Sequence, residues 1–168
     1  MESAGFQFEI VPATREEIVP PDLHDGQVAQ ALAKQKAEEI LECHPDDIIV
    51  AADTIVVFSG EIMGKPKDAA DAVRMLKKLS GNVHTVFTGV CIISQNKKVS
   101  FYDATEVEFY HLSNDEIADY VASGEPFDKA GAYGIQGKGA VLIKGIKGDY
   151  YNVMGLPIAR VYREIKKV

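Results

Sequence analysis

The sequence predicts a single domain of the α/β class, covering residues 1–168, in which strand-like runs and amphipathic helices follow one another. Apolar, β-branched residues open the stretch Ile48 to Asp68, as in a buried strand. Val28 to Leu41 repeats apolar residues at helical spacing. Two further strand-like runs surround the polar turn Gln95 to Lys98, which predicts a hairpin. A chain of 168 residues is long enough for one domain with its own core.

The composition is that of an ordinary soluble protein and limits the possible functions. The net charge of −7, from 18 basic and 25 acidic residues, argues against non-specific nucleic-acid binding. We find no signal-peptide pattern and no apolar run long enough to cross a bilayer. Cys43 and Cys91 lie far apart in no metal or redox spacing, so we expect reduced thiols in a cytoplasmic protein that does not bind membranes.

The N-terminal quarter predicts a strand, a loop and a helix. Apolar and polar residues alternate from Gly5 to Pro12, as in a strand. Thr14 to Asp25 is polar and interrupted by proline, which indicates a loop. This loop carries the acidic pair Glu16 and Glu17, for which plain solvation is the alternative to a function.

One lysine interrupts the apolar face of the helix Val28 to Leu41. Lys36 lies four residues after Leu32 and four before Ile40, so all three share one face. A lysine in that position either extends its ammonium group to the rim of the buried face or points into a cleft.

The stretch Ile48 to Asp68 carries the residues most suggestive of chemistry. Asp53 and Thr54 lie inside the apolar run, where a carboxylate is unfavourable unless a cation or a hydrogen-bond donor meets it. The turn that follows contains Lys65 and Lys67. A strand carboxylate followed by a basic turn could hold a metal ion and a phosphate chain together. The alternative is an aspartate bonded to backbone amides and a solvated turn.

The middle of the chain reads as structural. Asp68 is placed to cap a helix, and Val83 to Ser94 and Val99 to Tyr110 are the strands of the predicted hairpin. Ser113 to Glu116 forms a capping-box pattern that starts another helix, to which we assign no chemistry.

Glu125 to Gly139 has neither helical nor strand periodicity. Its four glycines let backbone amides approach a ligand, and polar side chains are spaced along it: Asp128, Lys129, Tyr133 and Gln136. A flexible surface loop is the alternative. A strand is predicted from Ala140 to Ile146, and a last helix from about Pro157. The four histidines show no ligand spacing, which argues against zinc.

Together these stretches resemble the Maf family of nucleotide pyrophosphatases. The matching pieces occur in the family order and cover nearly the whole chain: Arg15 to Glu17, Leu32 to Ala37, Ala52 to Thr54, Gly64 to Pro66, Leu79 to Gly81, Asp128 to Gly137 and Val153 to Pro157. The resemblance implies an α/β fold with a twisted mixed sheet, flanking helices and a central cleft, as in inosine triphosphatase-like enzymes. It also implies a homodimer.

The activity that the resemblance implies is hydrolysis of a nucleoside triphosphate to the monophosphate and pyrophosphate, with a divalent cation, Mg²⁺ or Mn²⁺. Position by position, Asp53 resembles the proton acceptor that activates water and, with Glu17, a metal ligand. Glu17 also resembles a catalytic carboxylate. Lys36, Lys65 and Lys129 are expected to hold the phosphates, Lys65 with a catalytic role.

The pair Thr54 and Gln136 matches positions that separate branches of the family, and both favour the branch acting on dTTP and UTP. The branch acting on 7-methyl-GTP, which tends to carry Asp-Gln in place of Asp-Thr, is one alternative. A nucleotide-binding regulator of septum formation without turnover is another.

One departure from the family lies at the start of the sequence. The family normally begins with a strand, a Ser-x-Ser-Pro-Arg-Arg loop and a helix, whereas Met1 to Gly5 aligns with the end of that helix. The loop's serine and arginines have no counterpart in the sequence. Because arginine matches phosphate geometry better than lysine does, we expect weak nucleotide binding and slow turnover.

Overall fold

The computed structural model describes residues 1–168, apart from the side chain of Ser3. Its strands are β1 (Ile49–Phe58), β2 (Glu61–Met63), β3 (Val83–Ile93), β4 (Lys98–Phe109) and β5 (Ile143–Lys147). Its α-helices are α1 (Gly26–Cys43), α2 (Ala69–Leu79), α3 (Asn114–Ala122), α4 (Tyr150–Val153) and α5 (Ile158–Glu164). None of the helices in the described part of the chain has the length and apolar character needed to cross a membrane.

The strands form one sheet in the order β2-β1-β3-β4-β5. The α/β class with flanking helices is confirmed. Every ladder between described strands is antiparallel, so the expectation of a mixed sheet is wrong for this part of the chain. The hairpins β1–β2 and β3–β4 reverse the chain at each turn, and antiparallel neighbours need no long crossover connection.

Helices cover both faces of the sheet. On one face α1 crosses β1 and β3, where a Cβ at Gly89 would lie 2.2 Å from the carbonyl carbon of Ala29. Only glycine permits this close crossing. On the other face α2 and α3 pack on the inward side chains of β1, β3 and β4, including Val56, Val86 and Val107. The cluster on that face also contains Tyr133 from the glycine-rich segment.

Several local predictions are confirmed. Asp68 caps α2 by accepting the amide N–H of Asp71 at 2.8 Å. Ser113 and Glu116 form the reciprocal capping box at the start of α3. The hairpin of β3 and β4 forms with its turn where the sequence predicts it. In each case the cap or turn needs only residues close together in sequence.

Other local predictions are wrong. The segment Gly5 to Pro12 forms no strand, because no described strand pairs with it, and the Ile10 side chain stays 82% exposed. The short strand β2 was not predicted. The glycine-rich stretch is built of the 3₁₀ turns Glu125–Asp128, Ala130–Ala132 and Gly137–Leu142 rather than open loop. The last turn occupies the start of the strand that we predicted from Ala140.

Candidate active site

A cavity of about 680 Å³ lies along the part of β1 that β2 does not cover. β2 pairs with β1 only from Val56 to Phe58, so among the described residues the earlier part of β1 has β3 on one side and no strand on the other. Successive side chains of a strand point to opposite faces. At an open edge both faces reach the same space, and for this reason the neighbours Asp53 and Thr54 line one cavity.

Every site residue predicted from the sequence lines this cavity. They come from five separate stretches of the chain. The residues are Glu17, Lys36, Asp53, Thr54, Lys65, Lys129 and Gln136. Arg15, which precedes Glu17 in the matching motif, instead forms an ion pair with Glu42 on the outer side of α1.

Lys36 joins two of the carboxylates that line the cavity, those of Glu17 and Asp53. Its ammonium nitrogen lies 2.5 Å from Asp53 Oδ1 and 2.9 Å from Glu17 Oε1. Of the two alternatives left open by the sequence, the structure therefore shows the lysine pointing into a cleft. The Asp53 side chain is 13% exposed, so the ion pair satisfies a carboxylate that would otherwise be buried without a partner.

Glu17 reaches Lys36 because α1 binds the backbone of the loop that carries it. The side-chain amide of Gln35 accepts the N–H of Ile18 at 3.0 Å and donates to its carbonyl at 2.6 Å. One turn further along the helix, Glu39 accepts the N–H of Thr14 at 2.8 Å. These contacts fix the loop on both sides of Glu17, whose side chain is 46% exposed but pairs with Lys36.

Burial and charge act in opposite directions on the central ion pair. Burial raises the pKa of Asp53 above its ordinary value, and the hydrogen bond and charge of Lys36 oppose this rise without cancelling it. For Lys36, burial lowers the pKa, but the hydrogen bonds and charges of Asp53 and Glu17 together outweigh burial and leave the pKa raised. The site thus holds a charged lysine beside a carboxylate with a stronger affinity for protons than a free aspartate.

Two more lysines reach the cavity from neighbouring turns. The N–H of Gly131 donates to the carbonyl of Gly64 at 3.0 Å, which ties the turn carrying Lys65 to the segment carrying Lys129. Lys129 pairs with Asp128 at 2.6 Å, and Lys65 forms no ion pair with any residue that the structure describes. The stem of Lys129 crosses Gly134, where a Cβ would lie 2.9 Å from Lys129 Cε.

The turn that carries Gln136 is held by two residues that the sequence did not single out. The hydroxyl of Tyr120, in α3, accepts the N–H of Gly134 at 3.1 Å. The carboxylate of Glu125 accepts the N–H of Lys138 at 3.0 and 3.1 Å. α3, to which we assigned no chemistry, therefore positions a wall of the cavity. No local pattern signals this, because each contact joins residues 13 or 14 positions apart.

Thr54 forms a hydrogen bond to a buried polar network, which the sequence analysis also did not predict. Thr54 Oγ1 lies 2.9 Å from Thr88 Oγ1, and Thr88 donates to the backbone carbonyl of Asn152 at 2.7 Å. Thr88 and Asn152 are both 0% exposed. Hydroxyl and amide side chains inside a core need partners. In the sequence, the feature that could have indicated this network was Thr88, a threonine within the apolar run of β3.

The carboxylates suit a hard divalent cation bound together with substrate. Glu17 and Asp53 converge on one ammonium group, so their oxygens face the same space. No cluster of three or more histidine, cysteine or acidic side chains that could hold a metal ion occurs among the described residues. Mg²⁺ commonly takes one or two carboxylates and completes its shell with water and substrate phosphates. The residues present fit that type of site.

Comparison with known proteins identifies the family of this chain. The family model described as Maf-like protein matches residues 1–168. The chain belongs to the Maf family. Relatives named dTTP/UTP pyrophosphatase include a Bacillus cytotoxicus protein, 50% identical over 167 residues that cover 99% of this chain and 87% of the relative. Proteins of the same name from Bacillus mycoides and Bacillus anthracis are 49% and 48% identical over the same shares.

The cavity also brings together most of the segments by which the sequence resembles the Maf family. The segments by which the sequence resembles the family are far apart in the chain, and six of them contribute residues to this one cavity, among them those around Glu17, Lys36, Asp53, Lys65 and Lys129. Met154 and Gly155, from the last matching segment, also line it.

Proposed function

We propose that this chain hydrolyses dTTP and UTP to the monophosphate and pyrophosphate. The observation that carries the proposal is the convergence of three lysines and three carboxylates on one cavity large enough for a nucleotide. The relatives that span nearly the whole chain and are named dTTP/UTP pyrophosphatase support the choice of substrates.

Asp53 is the proposed general base. Hydrolysis adds water across a phosphoric anhydride bond, and the attacking water must lose a proton as its oxygen bonds to phosphorus. A carboxylate with a raised pKa accepts that proton more readily than a free aspartate does. Lys36 holds the carboxylate in place through their 2.5 Å contact.

The lysines are proposed to bind the triphosphate. Lys65 and Lys129 face the cavity from adjoining turns, and Lys36 faces it from α1. Their ammonium groups offset the charge of the phosphates and of the departing pyrophosphate, on which negative charge develops. Local positive charge is what a polyanionic substrate needs in a protein whose net charge is −7.

Glu17 and Asp53 are proposed to hold Mg²⁺, or Mn²⁺, jointly with the substrate. A divalent cation held by these carboxylates would neutralise part of the charge of the phosphates. We propose that the pyrimidine ring of the nucleotide lies towards Thr54 and Gln136. The amide of Gln136 can donate and accept in one plane, as the edge of a pyrimidine requires.

We also propose a cytoplasmic homodimer that does not bind nucleic acid. The free thiols of Cys43 and Cys91 suit a reducing compartment. The acidic net charge disfavours contact with a phosphate backbone. The dimer rests on the resemblance to the family, and sedimentation equilibrium tests it: a single species at the monomer mass contradicts it.

A nucleotide panel with product analysis tests the proposed activity. We expect pyrophosphate and monophosphate from dTTP and UTP with Mg²⁺, slower turnover of purine triphosphates, and no turnover with excess chelator. Release of orthophosphate would identify a different bond as the one cleaved. Fastest turnover of 7-methyl-GTP would assign the chain to the other branch, and nucleotide binding without any product would favour a regulatory role.

A further inference from the structure

The direction of the Thr54 hydroxyl is determined by two buried residues beneath the cavity. A threonine hydroxyl has one hydrogen to donate and lone pairs with which to accept. Thr88 gives its hydrogen to the Asn152 carbonyl at 2.7 Å, since a carbonyl oxygen can only accept. In the 2.9 Å contact between the two hydroxyls, Thr54 must therefore be the donor and Thr88 the acceptor.

We propose that Thr88 and Asn152 are positioning residues that keep Thr54 as a hydrogen-bond acceptor towards the cavity, and that this selects bases bearing a ring N–H. The inference deepens the proposed function and rests on it for the class of substrate. Uracil and thymine carry a hydrogen on N3, whereas cytosine has a bare lone pair on that atom. A hydrogen-bond acceptor at Thr54 attracts the N3–H of uracil or thymine and repels the N3 lone pair of cytosine.

The same reasoning indicates that Thr54 contacts the nucleoside and not the triphosphate. Phosphate oxygens at neutral pH offer lone pairs, and a hydroxyl whose hydrogen already points inward has nothing to donate to them. The cavity thus divides by chemistry: lysines supply donors for the phosphates, and Thr54 supplies an acceptor for the nucleoside. A sugar hydroxyl is the other donor on a nucleotide, and the experiment must separate it from the base.

The network is held firmly enough to fix that direction. The side-chain amide of Asn152 donates to the Val86 carbonyl and to Thr105 Oγ1, each at 3.0 Å, and Thr105 donates to the Asp149 carbonyl at 3.1 Å. The Asn152 carbonyl also accepts the N–H of Gly155 at 3.0 Å, but reversing the Thr54–Thr88 bond would leave two buried oxygens, Thr88 Oγ1 and the Asn152 carbonyl, 2.7 Å apart with no hydrogen between them, which is unfavourable.

The backbone after α4 lies beside Thr54, and both Thr54 and Gly155 line the cavity. At Gly155 a Cβ would lie 3.4 Å from Thr54 Oγ1, and the residue has φ +100°, a conformation that favours glycine. Asn152 begins the turn that leads to this glycine, so one residue both receives the hydrogen of Thr88 and sets the chain beside Thr54. The two effects together give a preorganised acceptor.

Binding selectivity tests the proposal without requiring turnover. The probes are α,β-imido-UTP and α,β-imido-CTP with Mg²⁺, and the readout is the ratio of their dissociation constants by titration calorimetry. We expect the unsubstituted chain to prefer the uracil compound by about tenfold, the usual scale of one buried hydrogen bond. Thr88→Val should remove most of that preference, because it frees the Thr54 hydrogen to turn towards the cavity.

Two matched variants separate positioning from general damage to the fold. Thr88→Ser retains the hydroxyl and should keep the uracil preference. Thr85→Val removes a half-buried hydroxyl from the same strand, away from the network, and should also keep it. An unchanged ratio in Thr88→Val, or an equal loss in Thr85→Val, overturns the proposal, as does the absence of any preference in the unsubstituted chain.

A modified nucleotide tests the base contact on the unsubstituted protein, so it does not depend on any variant folding. N3-methyl-UTP lacks the ring N–H but keeps the sugar, and we expect it to bind about tenfold more weakly than UTP. Equal affinity overturns the proposal and points to a sugar contact. Parallel assays of pyrophosphate release distinguish the two claims: selective binding without hydrolysis refutes the proposed function and leaves this inference standing.

Discussion

Lys36 Nζ lies 2.5 Å from Asp53 Oδ1, which ties the middle of α1 to the middle of β1 at the wall of the cavity. The contact lies at the open edge of β1 and is partly buried. Solvent and salt therefore screen it less than they screen a surface ion pair. Lys36 therefore both shapes the site and changes the proton affinity of Asp53.

Removing the charge of Lys36 should move the acid limb of the pH profile. The hydrogen bond and charge of Lys36 lower the pKa of Asp53, so Lys36→Met raises that pKa further. A general base must be ionised, and the fall in kcat/KM with acid should then begin at a higher pH. We also expect kcat/KM to fall roughly tenfold to a hundredfold from the lost charge-assisted contact.

Lys34→Met is the control for this experiment, since Lys34 is an exposed lysine on the same helix. Its profile should match that of the unsubstituted chain. An acid limb at the same or lower pH in Lys36→Met would show that Asp53 is not the titrating base.

Tyr120 and Glu125 should affect catalysis although neither carries a predicted role. Tyr120→Phe leaves the N–H of Gly134 without its acceptor, and Glu125→Ala releases the N–H of Lys138. Each change should loosen the turn that carries Gln136, raising KM for UTP severalfold and lowering stability by about 1 kcal/mol. Tyr110→Phe, which alters an exposed tyrosine, is the matched control for steady-state kinetics and thermal melting. Unchanged KM in both test variants contradicts a positioning role.

His84 should make stability depend on pH. Its side chain is 2% exposed, and burial lowers its pKa from 6.5 to about 4. The unfolded chain binds a proton at this residue below about pH 6.5, whereas the folded chain does so only near pH 4. Stability should therefore fall as the pH drops through this window, by about 3 kcal/mol in all.

His84→Gln should flatten that part of the stability curve, measured by urea denaturation between pH 7 and pH 4.5. The exposed His24→Gln variant is the control and should keep the slope of the unsubstituted chain. Equal slopes in His84→Gln and His24→Gln would show that His84 titrates normally in the folded protein.

Much of the fold follows from short-range patterns in the sequence. The caps at Asp68 and Ser113 and the turn between β3 and β4 depend on neighbouring residues, and all three are confirmed. The alternation in Gly5 to Pro12 is a genuine strand pattern, but a strand also needs a partner, and no described strand pairs with it. Periodicity describes one segment at a time and does not state which segments meet.

The candidate site likewise contains some residues that local sequence patterns indicate and others that they do not. Asp53 stood out because a carboxylate in an apolar run needs a partner, and Lys36 because it interrupts an apolar face. The contacts that position Glu17 and Thr54 could not be predicted from such local conflicts. Gln35 binds the loop before α1, and Asn152 meets Thr88 across 64 positions of sequence. These contacts arise only when the tertiary fold brings the segments together.

The rate of pyrophosphate release by Asp53→Asn is the most direct test of the proposed site. Asparagine keeps the shape of the side chain and can still accept a hydrogen bond from Lys36, but it is not a base. Asp46→Asn, an exposed change just before β1, is the matched control. All three proteins are assayed with dTTP and UTP at one Mg²⁺ concentration, after melting curves confirm that each is folded. We predict that Asp53→Asn lowers the rate by about 10² to 10⁴, with Asp46→Asn unchanged. A folded Asp53→Asn protein with near-normal turnover would contradict the assignment of Asp53 as the base.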